Sequence, residues 1–130
     1  VDIDMSAGNY MNRSPKAEFI CATTEEFAHM VQNKPIQIDM LFIDADHSKK
    51  AVLRDFRNMF PFVAPHGLIL LHDTHPGDVA LTDPKFCGTA YLAISELSSE
   101  NKEYEMVTIP ISPGLTICRK RNTQLSWKDK

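Results

Sequence analysis

Two clusters of acidic and imidazole side chains stand out in this chain, each directly after an apolar run. The first is Phe42-Ile43-Asp44-Ala45-Asp46-His47 and the second is Leu70-Leu71-His72-Asp73-Thr74-His75. If the two runs are neighbouring strands, as consecutive parallel strands are about two times in three, their ends lie roughly 5 Å apart. Carboxylates at that separation repel unless a cation sits between them. Asp44 and Asp73, joined by His72, therefore read as ligands for one divalent ion. Oxygen donors suit Mg²⁺ or Mn²⁺, and a bound imidazole widens the choice to Fe or Zn. An Asp just past a strand is also an ordinary turn residue. Two such clusters at consecutive strand ends shift the balance toward a site. His29, on the polar side of its helix, and His66, ahead of Gly67, read as surface residues.

The elements that must hold these clusters can be read from patterning. Residues 1–4 and 18–21 read as short strands separated by a polar stretch containing Gly8, Asn9 and Asn12. Thr23 and Glu26 have capping-box spacing and open a helix with Phe27, Met30 and Val31 on its apolar stripe. Residues 38–43 are a nearly continuous apolar run that suits a buried parallel strand. Ser48 caps a helix with Val52, Phe56, Met59 and Phe60 on one face. Residues 67–71 form the next buried strand, 72–86 a loop rich in Asp, Pro and Gly, and 89–97 a helix. Strands at 104–109 and 115–119 flank a Pro-Gly turn that can join them antiparallel. Alternating strands and helices predict an α/β fold: a Rossmann-like, doubly wound, mostly parallel sheet in a three-layer sandwich, closed by an antiparallel β-hairpin. Ligands bind such sheets beyond the carboxyl ends of the strands, which is where both clusters fall.

The chain has 130 residues, 43% hydrophobic and 24% charged, with a net charge of −3. That is enough for one domain with a real core, and it gives no electrostatic reason to expect nucleic acid or an anionic membrane as partner. No apolar run approaches the roughly 20 residues of a membrane span. Cys21, Cys87 and Cys118 are odd in number and form no C-x-x-C pair, so they read as reduced structural thiols of a cytoplasmic protein. The partner expected is a small molecule, and self-association into a homo-oligomer is compatible with this composition.

The segment IDMLFIDADHSKKAVLRDFRNMFPFVAPHGLILLHDT resembles the fourth-to-fifth-strand unit of class I S-adenosylmethionine-dependent methyltransferases. The likeness is nearest to their metal-dependent O-methyltransferase branch and its sugar-modifying relatives. It covers residues 1–120, a partial methyltransferase domain from the second strand onward, with 121–130 as a polar tail. It implies transfer of a methyl group from S-adenosylmethionine to a hydroxyl of a small molecule or sugar, assisted by a divalent metal, with Mg²⁺ the expected ion. Asp2, then Asp4, would hold the cofactor ribose, Thr23 would lie beside the adenine, and Asp44 would border the cofactor. Asp44, His72 and Asp73 would hold the metal, with His72 standing where the family is usually acidic. His47, or else Asp46, would take the proton of the acceptor hydroxyl. Ala64-Pro65-His66-Gly67 departs from the family's Pro-Gly-Gly by one residue, and the turning glycine is expected at Gly67. The first strand and its Gly-x-Gly loop are not in the sequence, so this chain alone is expected to bind cofactor poorly.

Three other readings compete. Asp44-x-Asp46 after an apolar strand also opens haloacid-dehalogenase-type phosphatases, but Ser48 stands where those carry Thr. A receiver-like module would need an acidic pair after the first strand and a Lys after the fifth, and neither is in place. A degenerate, noncatalytic methyltransferase fold is also compatible, because a fold does not fix a function.

Overall fold

The computed structural model describes residues 1–10, 15–44, 46–100 and 103–121. The expectations for Asn12 and for the tail beyond Arg121 lie outside the described residues. The chain divides into two compact units, Val1–Ile36 and Gln37–Lys130.

In the first unit the two expected strands shrink to one parallel bridge between Asp2 and Cys21. The Asp2 amide donates to Ile20 O at 3.2 Å and the Ala22 amide donates to Asp2 O at 3.1 Å. A 3₁₀ helix, Met5–Tyr10, follows directly. Helix α1, Thr24–Val31, begins where the capping box places it: the Thr23 side chain accepts from the Glu26 amide, and the Glu26 carboxylate accepts from the Thr23 amide. Two of four orphan amide donors at the helix start are thereby satisfied.

The second unit contains strand β1, Ile38–Ile43, helix α2, Lys49–Met59, strand β2, Val63–His72, helix α3, Tyr91–Glu100, and strands β3, Tyr104–Ile109, and β4, Leu115–Lys120. The sheet order is β1-β2-β4-β3. β1 and β2 run parallel, with Ile43 opposite Leu71. β4 pairs antiparallel with β2 and with β3, so the closing hairpin enters the sheet with its second strand innermost. The α/β class, the parallel pair and the antiparallel hairpin are therefore those read from the sequence.

Side-chain alternation selects the core face. Ile43, Ile69, Leu71 and Cys118 point to one side and pack with Val52, Leu53 and Phe56 of α2 and Ala93 and Leu97 of α3. Ile69 and Leu71 are fully buried. On the opposite face of the sheet, Met40, Phe42 and Val107 are exposed, so within this unit α2 and α3 form a single helical layer. Lys49 and Arg57 of α2 each bridge to Glu96 of α3, at 2.7 and 2.9 Å. At exposed positions such pairs contribute little to stability and mainly fix the register of the two helices.

The left-handed position near the start of β2 differs from expectation, and it lies within the strand, where the register with β1 is irregular. The residue with left-handed backbone is His66, φ 65°, and not Gly67. Gly67 is required for another reason. A Cβ there would lie 2.7 Å from Val63 Cγ1 and 2.8 Å from Ala64 O. Left-handed φ costs a residue with a Cβ about 1 kcal/mol, and the His66 side chain is exposed. His66→Gly is therefore expected to raise stability by about 0.5–1 kcal/mol, net of the entropy glycine adds to the unfolded chain. Urea unfolding at constant m-value measures it; a lower midpoint would contradict it.

Candidate functional site

The parallel register of β1 and β2 decides where the two clusters go. Asp44 follows the last residue of β1, and His72 ends β2 with Asp73 next. Because Ile43 faces Leu71 across the ladder, the residues just beyond them emerge side by side. His72 Nδ1 lies 3.2 Å from Asp44 Oδ1 and 3.3 Å from Asp73 Oδ1. In the tautomer with Nδ1 protonated, one ring N–H stands between the two carboxylates and relieves their repulsion.

Asp73 is the pivot. It is buried, and its backbone has φ 59°. Asp tolerates this left-handed conformation better than most residues, and strain of this kind gathers at functional sites. The turn aims the carboxylate so that its second oxygen, Oδ2, lies 3.3 Å from His47 Nε2. Asp44, His47 and Asp73 each offer a ligand atom, all within 4.8 Å of one another. A pocket of about 380 Å³ opens here, lined by these residues with His72, Leu81, Phe86, Cys87, Ser112 and Pro113. Leu81 and Phe86 come from the long connection between β2 and α3.

Cys87 forms part of the wall. Burial first, then a hydrogen bond to Asp73 and its negative charge, push the Cys87 thiol up to about 11. It therefore stays protonated, and hence poorly nucleophilic, at neutral pH. Cys118 is fully buried in the core and is pushed up to about 12, mainly by burial. Cys21 differs from the other two. It is exposed, with Sγ donating to Ile3 O at 3.6 Å, because it sits on the small bridge of the first unit and not in a core.

Asp46 takes the ordinary local role. Its Oδ1 accepts the Ser48 amide at 2.9 Å, an Asx turn leading into the Ser48 cap of α2. Among the described residues it is outside the three-residue donor group. Asp2, Asp4 and Thr23 belong to the first unit. Asp2 Oδ1 accepts the Asp4 amide and Asp4 Oδ1 accepts the Ser6 amide, both at 2.8 Å. Hydrogen bonds from the Ser6 side chain and amide hold the Asp4 carboxyl below its usual range. The Thr23 hydroxyl is engaged in the α1 capping box.

Thr74, beside Asp73, is buried, and its hydroxyl is the one buried side-chain oxygen or nitrogen without a hydrogen-bond partner among the described residues. Leaving such a group unpaired costs about 1–3 kcal/mol, whereas replacing it with an apolar group of the same shape is near neutral or stabilising. Thr74→Val is therefore expected to unfold at the same or higher urea concentration. A loss above about 1 kcal/mol would show that the hydroxyl has a partner in solution.

Comparison with known proteins follows the same lines. A family model described as a methyltransferase domain matches residues 1–74. No curated protein matches the sequence. Among solved structures, the chain is similar to a protein from Corynebacterium glutamicum at 16% identity and TM-score 0.62, with 90% of this chain and 54% of that one covered. It is similar to a Staphylococcus aureus protein provisionally named caffeoyl-CoA O-methyltransferase at 19% identity and TM-score 0.63, with 88% and 56% covered. It is also similar to an SAH-bound methyltransferase from Podospora anserina at 16% identity and TM-score 0.63, with 90% and 54% covered. The chain thus spans little more than half the length of each of these structures. At such identities the likeness carries the fold. No described helix is long and apolar enough to cross a membrane.

Proposed function

The chain belongs to the methyltransferase-domain family, and on that premise we propose that it serves S-adenosylmethionine-dependent methyl transfer to a hydroxyl group of a small molecule, with His47 as the base. The observation that carries this reading is the His47 Nε2–Asp73 Oδ2 contact of 3.3 Å, on the wall of a pocket shared with Asp44 and His72. The SAH-bound neighbour and the O-methyltransferase name of another lend support to the donor and the acceptor class.

His47 Nε2 faces Asp73, which leaves Nδ1 to take the acceptor proton. The Asp73 carboxylate then holds the ring in orientation and stabilises the imidazolium that forms, as in other carboxylate–histidine pairs. His47 has this role in preference to Asp46, whose carboxylate is occupied at the turn. Leu81, Phe86 and Pro113 give the pocket an apolar wall, which can exclude water from the acceptor and align its oxygen with the methyl group. Asp2 and Asp4 are proposed to meet the cofactor ribose, with Thr23 near the adenine and Asp44 bordering the cofactor.

The donor set fits a divalent cation. Two carboxylates that converge on one imidazole N–H, at 3.2 and 3.3 Å, occupy the arrangement a hard ion would take over. Asp44 and Asp73 would hold it together with His72 in the tautomer whose Nδ1 carries a lone pair in place of the N–H, and Mg²⁺ suits the oxygen donors. When bound, such an ion would lower the pKa of a hydroxyl beside it. The 4.8 Å grouping of Asp44, His47 and Asp73 favours a second reading, in which His47 is itself a ligand.

Calorimetric titration of the full-length protein with S-adenosylmethionine, followed by release of S-adenosylhomocysteine on a panel of simple phenols and sugars, tests the proposal. Binding with turnover on a hydroxylated acceptor is the expected result. Binding without turnover on any acceptor would favour a noncatalytic domain, and no binding would end the methyltransferase reading.

A further inference from the structure

His47 sits in a short turn between β1 and α2, spanned locally by the Asp46 carboxylate, which accepts the Ser48 amide. A second restraint comes from forty residues away. The Thr89 amide donates to His47 O at 2.8 Å, and Thr89 Oγ1 accepts the Lys49 amide at 2.9 Å. Lys49 is the first residue of α2, so its amide is one of the orphan donors of a helix start, satisfied here by a distant side chain. One threonine thus grips the turn on both sides of Ser48. Gly88 makes the grip close: at φ 53°, a Cβ there would collide with the His47 carbonyl oxygen and lie 3.1 Å from His47 Cβ.

The same segment carries the pocket wall. The Cys87 amide donates to Leu81 O at 2.9 Å, and the Gly88 amide donates to Asp83 O at 3.1 Å. Leu81, Cys87 and His47 line one pocket. The wall and the His47 turn are therefore tied through Cys87, Gly88 and Thr89.

We propose that Thr89 is a positioning residue for His47: its amide and hydroxyl, brought close by Gly88, hold the His47 ring against Asp73. The role in turnover rests on the reading of His47 as the base; the placement of the ring does not. Both are tested in the full-length protein carrying ¹³Cε1-labelled histidine, with the His47 signal assigned by its loss in His47→Gln. Thr89→Val removes the hydroxyl and keeps the amide and the shape, whereas Thr89→Ser keeps the hydroxyl. Expected is a shifted and broadened His47 signal in Thr89→Val, restored in Thr89→Ser, with kcat lowered about tenfold in the valine variant at unchanged KM for the methyl donor. Gly88→Ala should move the same signal by pushing on the His47 carbonyl, which keeps the test open if Thr89→Val folds poorly. A His47 signal in the wild-type place in both Thr89→Val and Gly88→Ala overturns the proposal, as does a serine variant that behaves like the valine one. Full methyl transfer by His47→Gln would instead remove the base while leaving the positioning of the ring intact, so the two failures are distinguishable.

Discussion

His47→Gln is expected to lower kcat by about 10²–10⁴-fold, the usual worth of a positioned general base. KM for S-adenosylmethionine should be nearly unchanged. Gln keeps a polar side chain of similar reach but takes no proton at neutral pH. The loss should therefore fall on the chemical step and not on binding. His47 is half-buried at the pocket and contacts Asp73, so the change should leave the core untouched. Steady-state rates of S-adenosylhomocysteine release, beside an unchanged urea midpoint, check both halves. A variant with wild-type kcat would remove His47 from the reaction.

Asp73→Asn is expected to be as damaging, by about 10²–10⁴-fold in kcat, since an orienting carboxylate beside a catalytic histidine can matter as much as the histidine. Asn is the informative replacement because it also tolerates the left-handed backbone of residue 73, φ 59°. The fold should survive while the charge that steadies the imidazolium is lost. The effects should not add. With His47 replaced, Asp73 has no imidazolium left to steady but would still hold the ion, so the double variant should fall well short of the product of the two single losses. Additive losses in the double-mutant cycle would mean that the two residues act separately.

The convergence of Asp44 and Asp73 was legible in the sequence because it depends on strong, local signals. Two apolar runs of strand length each end in an acidic residue, and a helix with a Ser48 cap connects them. Parallel pairing then follows because a helical crossover returns the chain to the same end of the sheet before the next strand. Thr23 and Ser48 as caps were legible for the same reason, since capping acts within three residues.

What was not legible depends on long-range geometry or on local competition. The pairing of His47 with Asp73 needs the left-handed turn at residue 73, which no neighbouring glycine announces. Asp46 and His47 stand side by side, and only the amide of Ser48 decides that Asp46 turns to the backbone. The reach of Thr89 to Lys49 spans 40 residues and leaves no pattern in either segment. At Pro65-His66-Gly67, within β2, sequence reasoning makes glycine the left-handed residue, yet the crowding at Gly67 by Val63 and Ala64 is the true constraint there.

The account turns on one place, the pocket where β1 and β2 end. A crystal structure of the full-length protein grown with S-adenosylhomocysteine and Mn²⁺, recorded at the manganese absorption edge, examines it directly. The expected result is an anomalous peak within coordination distance of the Asp44 and Asp73 carboxylates, with the cofactor sulfur facing the pocket that His47 lines. Cofactor bound well away from that pocket, with no peak at Asp44 and Asp73, would contradict the account.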